Sequence, residues 1–237
     1  MATILRNKIA DYLGKADKIM FMGTGFNSLN EEPNAQTTQK TYINDVNSTT
    51  NITSYQPVFP YNSDLMKDEE AIYALYKTGR NRNTGIDAEF DYYRVDLFED
   101  RKGNHYPARK MRVSNEVSSF EGEGGQDITV SGNLNQVGDS IDGMFDITTR
   151  NFIQMFLIEL GAKGTTTSVT ANIDIPTGYK LHYKTSNNPH TIPQSGVALQ
   201  GTTELKGDIN TTAESYVLIV LKDEKDNIVA FGMDEAK

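Results

Sequence analysis

Between Ile86 and Leu134 the chain alternates apolar and polar residues through successive segments joined by short turns rich in glycine or charge. In IDAEFDYYRVDLF, Asp87, Glu89 and Asp91 share one face, and Ala88, Phe90 and Tyr92 share the other. In QDITVSGNL, Asp127, Thr129, Ser131 and Asn133 oppose Ile128, Val130 and Leu134. A period of two predicts half-buried strands, each with one face on a core and one on water or a partner. FEGEGGQ at 120–126 supplies the glycines that a tight hairpin needs for positive backbone angles. This unit is expected to hold strands at 87–98, 105–120, 127–135 and 143–149, after two short ones at 41–45 and 51–56.

One helix is signalled. Ser63 or Asp64 can cap it, acidic Asp68, Glu69 and Glu70 fill its early turns, and Gly79 can end it. Leu65, Ile72, Leu75 and Tyr76 make its apolar face, which predicts packing against a sheet. Residues 3–13 follow a loose helical pattern, and GTGFNSLNEEPNAQTT at 23–38 reads as a long polar loop. Past FIQMFLIEL (152–160) the texture changes, and GAKGTTTS reads as a linker. VTANIDI, YKLHYKT, GVALQ, SYVLIVL and NIVAFGM follow as strands, the last two joined by KDEKDN as a hairpin. The expected division is therefore residues 1–160 and a smaller all-β domain at 165–237, in a mainly β fold.

Composition narrows the function. A net charge of −9 and a pI near 4.9 argue against binding nucleic acid by phosphate neutralisation, which needs clustered Lys and Arg. The chain has no cysteine, which removes disulfides and thiolate metal sites. MATILRNKIADYLG has no unbroken apolar core and does not read as a signal peptide, and no stretch approaches the ~20 apolar residues of a membrane span.

No constellation of catalytic residues emerges. The carboxylates of Asp87, Glu89 and Asp91 are splayed by ~7 Å per pair on a strand, which suits a wet or partner-facing edge better than a metal. His105, His182 and His190 are dispersed without a triad pattern. GTGF lacks the third glycine of a dinucleotide fingerprint, and EGEGG carries Glu121 and Glu123, which would repel phosphate. Asn47, Asn51 and Asn210 head glycosylation-type triplets that mean nothing without secretion. Arg80, Arg82, Arg109, Lys110 and Arg112 are the basic concentrations, able to meet acidic strands of another copy. The expectation is a chain with no enzyme activity, no cofactor and no metal.

The ordered series FMGTGFNSLNEEPNAQT, TYIND, SYQPVFPYNSDLMKDEEAI, GRNRNTGIDAEFDYYRVDLFE, ARKMRVSNEVSSFEGEGG and VSGNLNQVGDSIDGMFDITTR, over roughly residues 1–150, resembles the major tail tube protein of long-tailed (siphovirus-type) phages of Gram-positive bacteria. The resemblance implies a tail-tube β-sandwich or barrel with one flanking helix, plus an appended C-terminal β domain, Ig-like or similar, on the tail surface. It implies stacked rings, hexameric in this family, with two hairpins per copy joining a common lumen barrel. Twenty-four strands at ~4.8 Å give a circumference of roughly 115 Å, wide enough for duplex DNA. The implied partners are the chain itself, a tape measure protein, a tail terminator and distal tail proteins, with DNA passing unbound. The implied location is the virion, after assembly in the host bacterial cytoplasm.

On this reading the hairpins 41–56 and 113–134 are the barrel pieces. Ser114, Glu116, Ser118, Asp127, Thr129, Ser131 and Asn133 then face the lumen as a polar, mildly acidic wall, and Arg112 is a basic departure at its end. An acidic wall lets a polyanion slide. Asn27, Asn30, Glu31, Glu32 and Asn34 are candidates for contact with the next ring, in a loop expected to order only on stacking. Asp87, Glu89, Asp91 and Arg109 are the candidates for contact between subunits. The alternatives left open are the inner tube of a contractile tail or a phage-tail-like bacteriocin, and a soluble carbohydrate-binding β module.

Overall fold

The computed structural model describes residues 3–160, 166–167, 169–210 and 216–236. The chain is mainly β. Its strands are β1 (Ile9–Lys15), β2 (Lys18–Phe21), β3 (Phe26–Leu29), β4 (Ala35–Lys40), β5 (Thr49–Tyr55) and β6 (Val58–Asp64). After helix α1 (Glu70–Arg80) come β7 (Glu89–Asp96), β8 (His105–Glu121) and β9 (Thr129–Asp146). The remainder comprises β10 (Asn151–Met155), β11 (Leu157–Leu160), β12 (Thr166–Thr167), β13 (Val169–Asn172), β14 (Lys180–Ser186), β15 (Thr203–Glu204), β16 (Ile209–Asn210), β17 (Tyr216–Lys222) and β18 (Ile228–Glu235). Two compact units divide these residues: a first unit of 10–94 with 111–140, and a second of 1–9, 95–110 and 141–237.

In the first unit the strand order is β3–β6–β9–β8–β7–β1–β2. Alternation explains the two sides of this sheet. Phe59, Tyr61 and Ser63 of β6 pair with Leu134, Gly132 and Val130 of β9 on the buried side, while Pro60, Asn62 and Asp64 meet Asn133, Ser131 and Thr129 on the other. The buried side joins Leu13, Met20, Tyr92, Met111 and Val113, and α1 contributes Ala71 and Leu75. A polar bridge threads this core: the Tyr61 hydroxyl donates to Asn115 Oδ1 at 2.9 Å, and Asn115 Nδ2 donates to the Leu75 carbonyl at 3.2 Å. It ties β6, β8 and α1 together without leaving the Asn115 amide group unpaired in the core.

The helix differs from expectation at both ends. Ser63 and Asp64 stay in β6 because they continue its ladder with β9, so α1 starts six residues later, after Glu69. Gly79 lies inside the helix, and a Cβ there would stand 2.6 Å from Val117. That glycine buys close approach to β8; it does not stop the helix. The segment 3–13 is a short 3₁₀ turn followed by β1, not an α-helix. The strands expected at 127–135 and 143–149 form the single strand β9, with a left-handed φ of 74° at Gly138. TYIND lies outside any strand, and the segment 23–38 holds β3 and β4.

In the second unit β15–β14–β17–β18–β10–β9 run in that order, with β10 parallel to β18. β17 is apolar from Val217 to Leu221 because both of its faces are covered. Val217, Ile219 and Leu221 pack with Phe156 and Ile158, and Leu218 and Val220 pack with Met144, Ile153 and Phe231. The β17–β18 hairpin expected around KDEKDN is present, its turn made by Asp223 Oδ1, which accepts from the amides of Lys225 at 2.9 Å and Asn227 at 2.8 Å. GVALQ forms no strand and makes one bridge, Ala198 to Asn227. Most of the expected linker 161–168 lies outside the described residues.

Candidate functional surface: a polar sheet face and an exposed hairpin

The open side of the first unit's sheet is a continuous polar surface. Ser114, Glu116 and Ser118 alternate with buried Val113 and Asn115 on β8, and Thr129, Ser131 and Asn133 alternate with buried Val130, Gly132 and Leu134 on β9. Asp127 lies exposed in the turn before β9. Side chains on this face bond sideways to one another. Asn135 Nδ2 donates to Glu116 Oε2 at 2.9 Å, Asn62 Nδ2 to Ser131 Oγ at 2.8 Å, and Asn27 Nδ2 to Asp64 Oδ1 at 2.8 Å. Such lateral bonds hold the polar groups flat against the sheet and leave few of them reaching outward to grip a ligand.

Arg112 does not break this face as a free cation, since its guanidinium is ion-paired to Glu89 of β7. The stripe of Glu89 and the stripe of Ser114 were expected as separate surfaces; the Arg112 pairing makes them neighbours on one. Asp87 departs from the expected triplet, because it sits in a 3₁₀ turn over Gly85–Ala88, where its carbonyl accepts from Lys15 Nζ. Asp91 is half-buried, and Arg109, also half-buried, shares the parity of Met111 and Val113 rather than that of Arg112.

The second element is the β4–β5 hairpin. Its register runs from Ala35 opposite Tyr55 to Lys40 opposite Thr49, with 41–48 as its tip. It pairs with no other strand, and every residue from Glu32 to Gln56 is exposed. Apolar side chains stand on it in the open: Tyr42 is 63% exposed, Ile43 108% and Val46 96%. A lone two-stranded ribbon is marginal in water, and exposed aliphatic side chains at its end have nothing to gain there.

Its root, by contrast, is fixed. Glu32 and Val58 exchange backbone bonds of 2.8 and 2.9 Å, Asn30 N donates to Pro60 O at 3.0 Å, and Gln56 N donates to Asn34 O at 3.2 Å. Asn34 takes a left-handed φ of 46°, which turns the chain into β4. Glu31 Oε2 lies 3.4 Å from Nε of Arg94, which is buried beside Asp11. Tyr92 donates its hydroxyl to Asp11 at 2.5 Å, and burial together with that carboxylate raises the Tyr92 pKa. Thus Asn27, Asn30, Glu31, Glu32 and Asn34, expected to be loose until stacking, are each held within the chain. Local pattern does not reveal this, because the anchor Arg94 lies far from Glu31 along the chain.

Among the described residues no group of three or more His, Asp or Glu side chains is placed to hold a metal ion, and no helix is long and apolar enough to cross a membrane.

In comparison with known families, the model described as the S-layer protein SbsC C-terminal domain matches residues 159–234. That is less than half of the chain and speaks for the C-terminal β region alone. No curated protein matches the chain.

Proposed function

We propose that this protein is a self-assembling structural subunit whose copies stack as rings into a hollow tube, in the manner of the tail tube proteins that its first 150 residues resemble. The observation that carries the reading is the β4–β5 hairpin, an ordered ribbon with an apolar tip and every residue exposed. A neighbouring copy would cover that tip and complete its unpaired edges. The polar sheet face suits a bore through which DNA passes. Its carboxylates repel phosphate, and its Arg112 is neutralised by Glu89. The role is structural rather than catalytic, the family's tape measure, terminator and distal tail proteins would be its partners, and the virion would be its place.

Negative-stain electron microscopy of the concentrated, purified protein tests this. Hollow filaments are expected; protein that stays monomeric at every concentration refutes it. A second reading draws on the match to an S-layer protein domain over residues 159–234, which favours assembly as a flat lattice on a cell surface. The same grids separate the two, since that reading gives sheets in place of tubes.

A further inference from the structure

We infer that the second unit carries a binding site for a saccharide residue, in a cavity of about 650 Å³ between the turn 102–105, the segment 189–192 and the ends of β17 and β18. This inference does not depend on the assembly reading. The volume is within the ~300–1,000 Å³ usual for small-molecule sites. Its floor is apolar and rigid: Ile192, Val217 and Met233 belong to or pack on the cores around β17 and β18.

Polar groups converge above this floor in both senses. His105 Nε2 is 4.0 Å from Asp146 Oδ2. The other carboxylate oxygen of Asp146 accepts from the Thr148 and Thr149 amides at 2.8 and 3.2 Å, which fixes its orientation. Lys102 Nζ lies 3.9 Å from Met233 Sδ and makes no ion pair with another described residue. Asp234 and Glu235 add acceptors at the far wall.

The chemistry selects the ligand. Three carboxylates against one ammonium disfavour an anion; they are spread over opposite walls with the Lys102 ammonium and an apolar floor between them, and among the described residues no group of three is placed to hold a metal ion. A neutral ring with hydroxyls on its rim and C–H groups on its face uses donors, acceptors and floor at once. The turn 102–105, Asp146 and Glu235 lie outside the segment that matches the S-layer domain model, so the cavity belongs to this chain's own combination of parts.

The test is ligand-observed saturation-transfer NMR on the full chain with the methyl glycosides of glucose, galactose, mannose and N-acetylglucosamine, and with spermidine as a cationic control. Transfer to at least one glycoside is expected. Thr191→Trp, which plugs the cavity from an exposed position, and Lys102→Ala, which removes a donor, should each weaken it at least tenfold, with thermal melts unchanged. Absence of transfer to every glycoside, transfer to spermidine alone, or glycoside binding indifferent to both substitutions would overturn the inference.

Discussion

Replacing Ile43 and Val46 by Asp tests the assembly reading at its narrowest point. Both side chains are already in water, 108% and 96% exposed, so the folded chain loses nothing when they go. Exposed substitutions of this kind change stability by no more than about 0.5 kcal/mol. In an assembled state that covers the tip, each aliphatic side chain contributes about 1.5–3 kcal/mol through burial, so the pair contributes about 3–6 kcal/mol per contact. At 1.4 kcal/mol per decade, the critical concentration for assembly should rise roughly 10²- to 10⁴-fold. The desolvation of two new carboxylates works in the same direction. Pelleting assembled from free protein across a dilution series reads that concentration, and thermal melting checks the fold. A double variant that assembles at the wild-type concentration would refute the reasoning, because the tip would then be a surface that nothing covers.

Other consequences can be measured on the unassembled chain. Asn115→Ala strips the buried Tyr61 hydroxyl of its partner and the Leu75 carbonyl of a donor, and should cost about 2–4 kcal/mol in urea denaturation. Glu31→Gln leaves the buried Arg94 guanidinium with less compensation. Because Glu31 is partly solvated, a loss of about 1–3 kcal/mol is expected rather than the full penalty of a buried pair, with faster amide exchange at 30–34. His182 has its pKa lowered from 6.5 by burial and then by the charge of Lys222, so folding favours the neutral ring. As pH falls through 6.5 the unfolded chain takes up that proton before the folded one, so stability drops as pH falls from about 7; His182→Gln should flatten that slope in melts across mildly acidic pH.

The parts of the fold legible in the sequence are those where one side of a strand is covered and the other wet. Val113, Asn115 and Val117 against Ser114, Glu116 and Ser118 gave β8 its period because α1 covers only one side. β1 was missed for the opposite reason. Ala10 to Gly14 are all buried, so no alternation marks the strand, and its apolar residues mimic a helical spacing. β4 was missed because both of its faces are exposed, and a polar run such as AQTTQK carries no period at all. The Glu89–Arg112 pair depends on the register between β7 and β8, which local pattern does not reveal. The cavity of the second unit escaped for a related reason, since its walls come from five separated segments that no motif connects.

The hairpin also changes what should limit assembly. A segment that ordered only on contact would charge each docking event with the entropy of fixing its backbone, about 1–2 kcal/mol per residue. Here the ribbon from Ala35 to Tyr55 is already paired, and its root is bound to β6 and to the buried Arg94. What remains without regular structure is the tip, 41–48, which is also where the exposed Tyr42, Ile43 and Val46 stand. Preorganisation of the stem lowers the cost of docking and concentrates it in those few residues. Stiffening the tip should therefore speed assembly, whereas loosening the root at Glu31 should slow it while leaving Tyr42, Ile43 and Val46 of the tip untouched. That pairing of opposite effects, read as lag times by light scattering, separates a preformed arm from a segment that folds on arrival: the latter would be indifferent to Glu31.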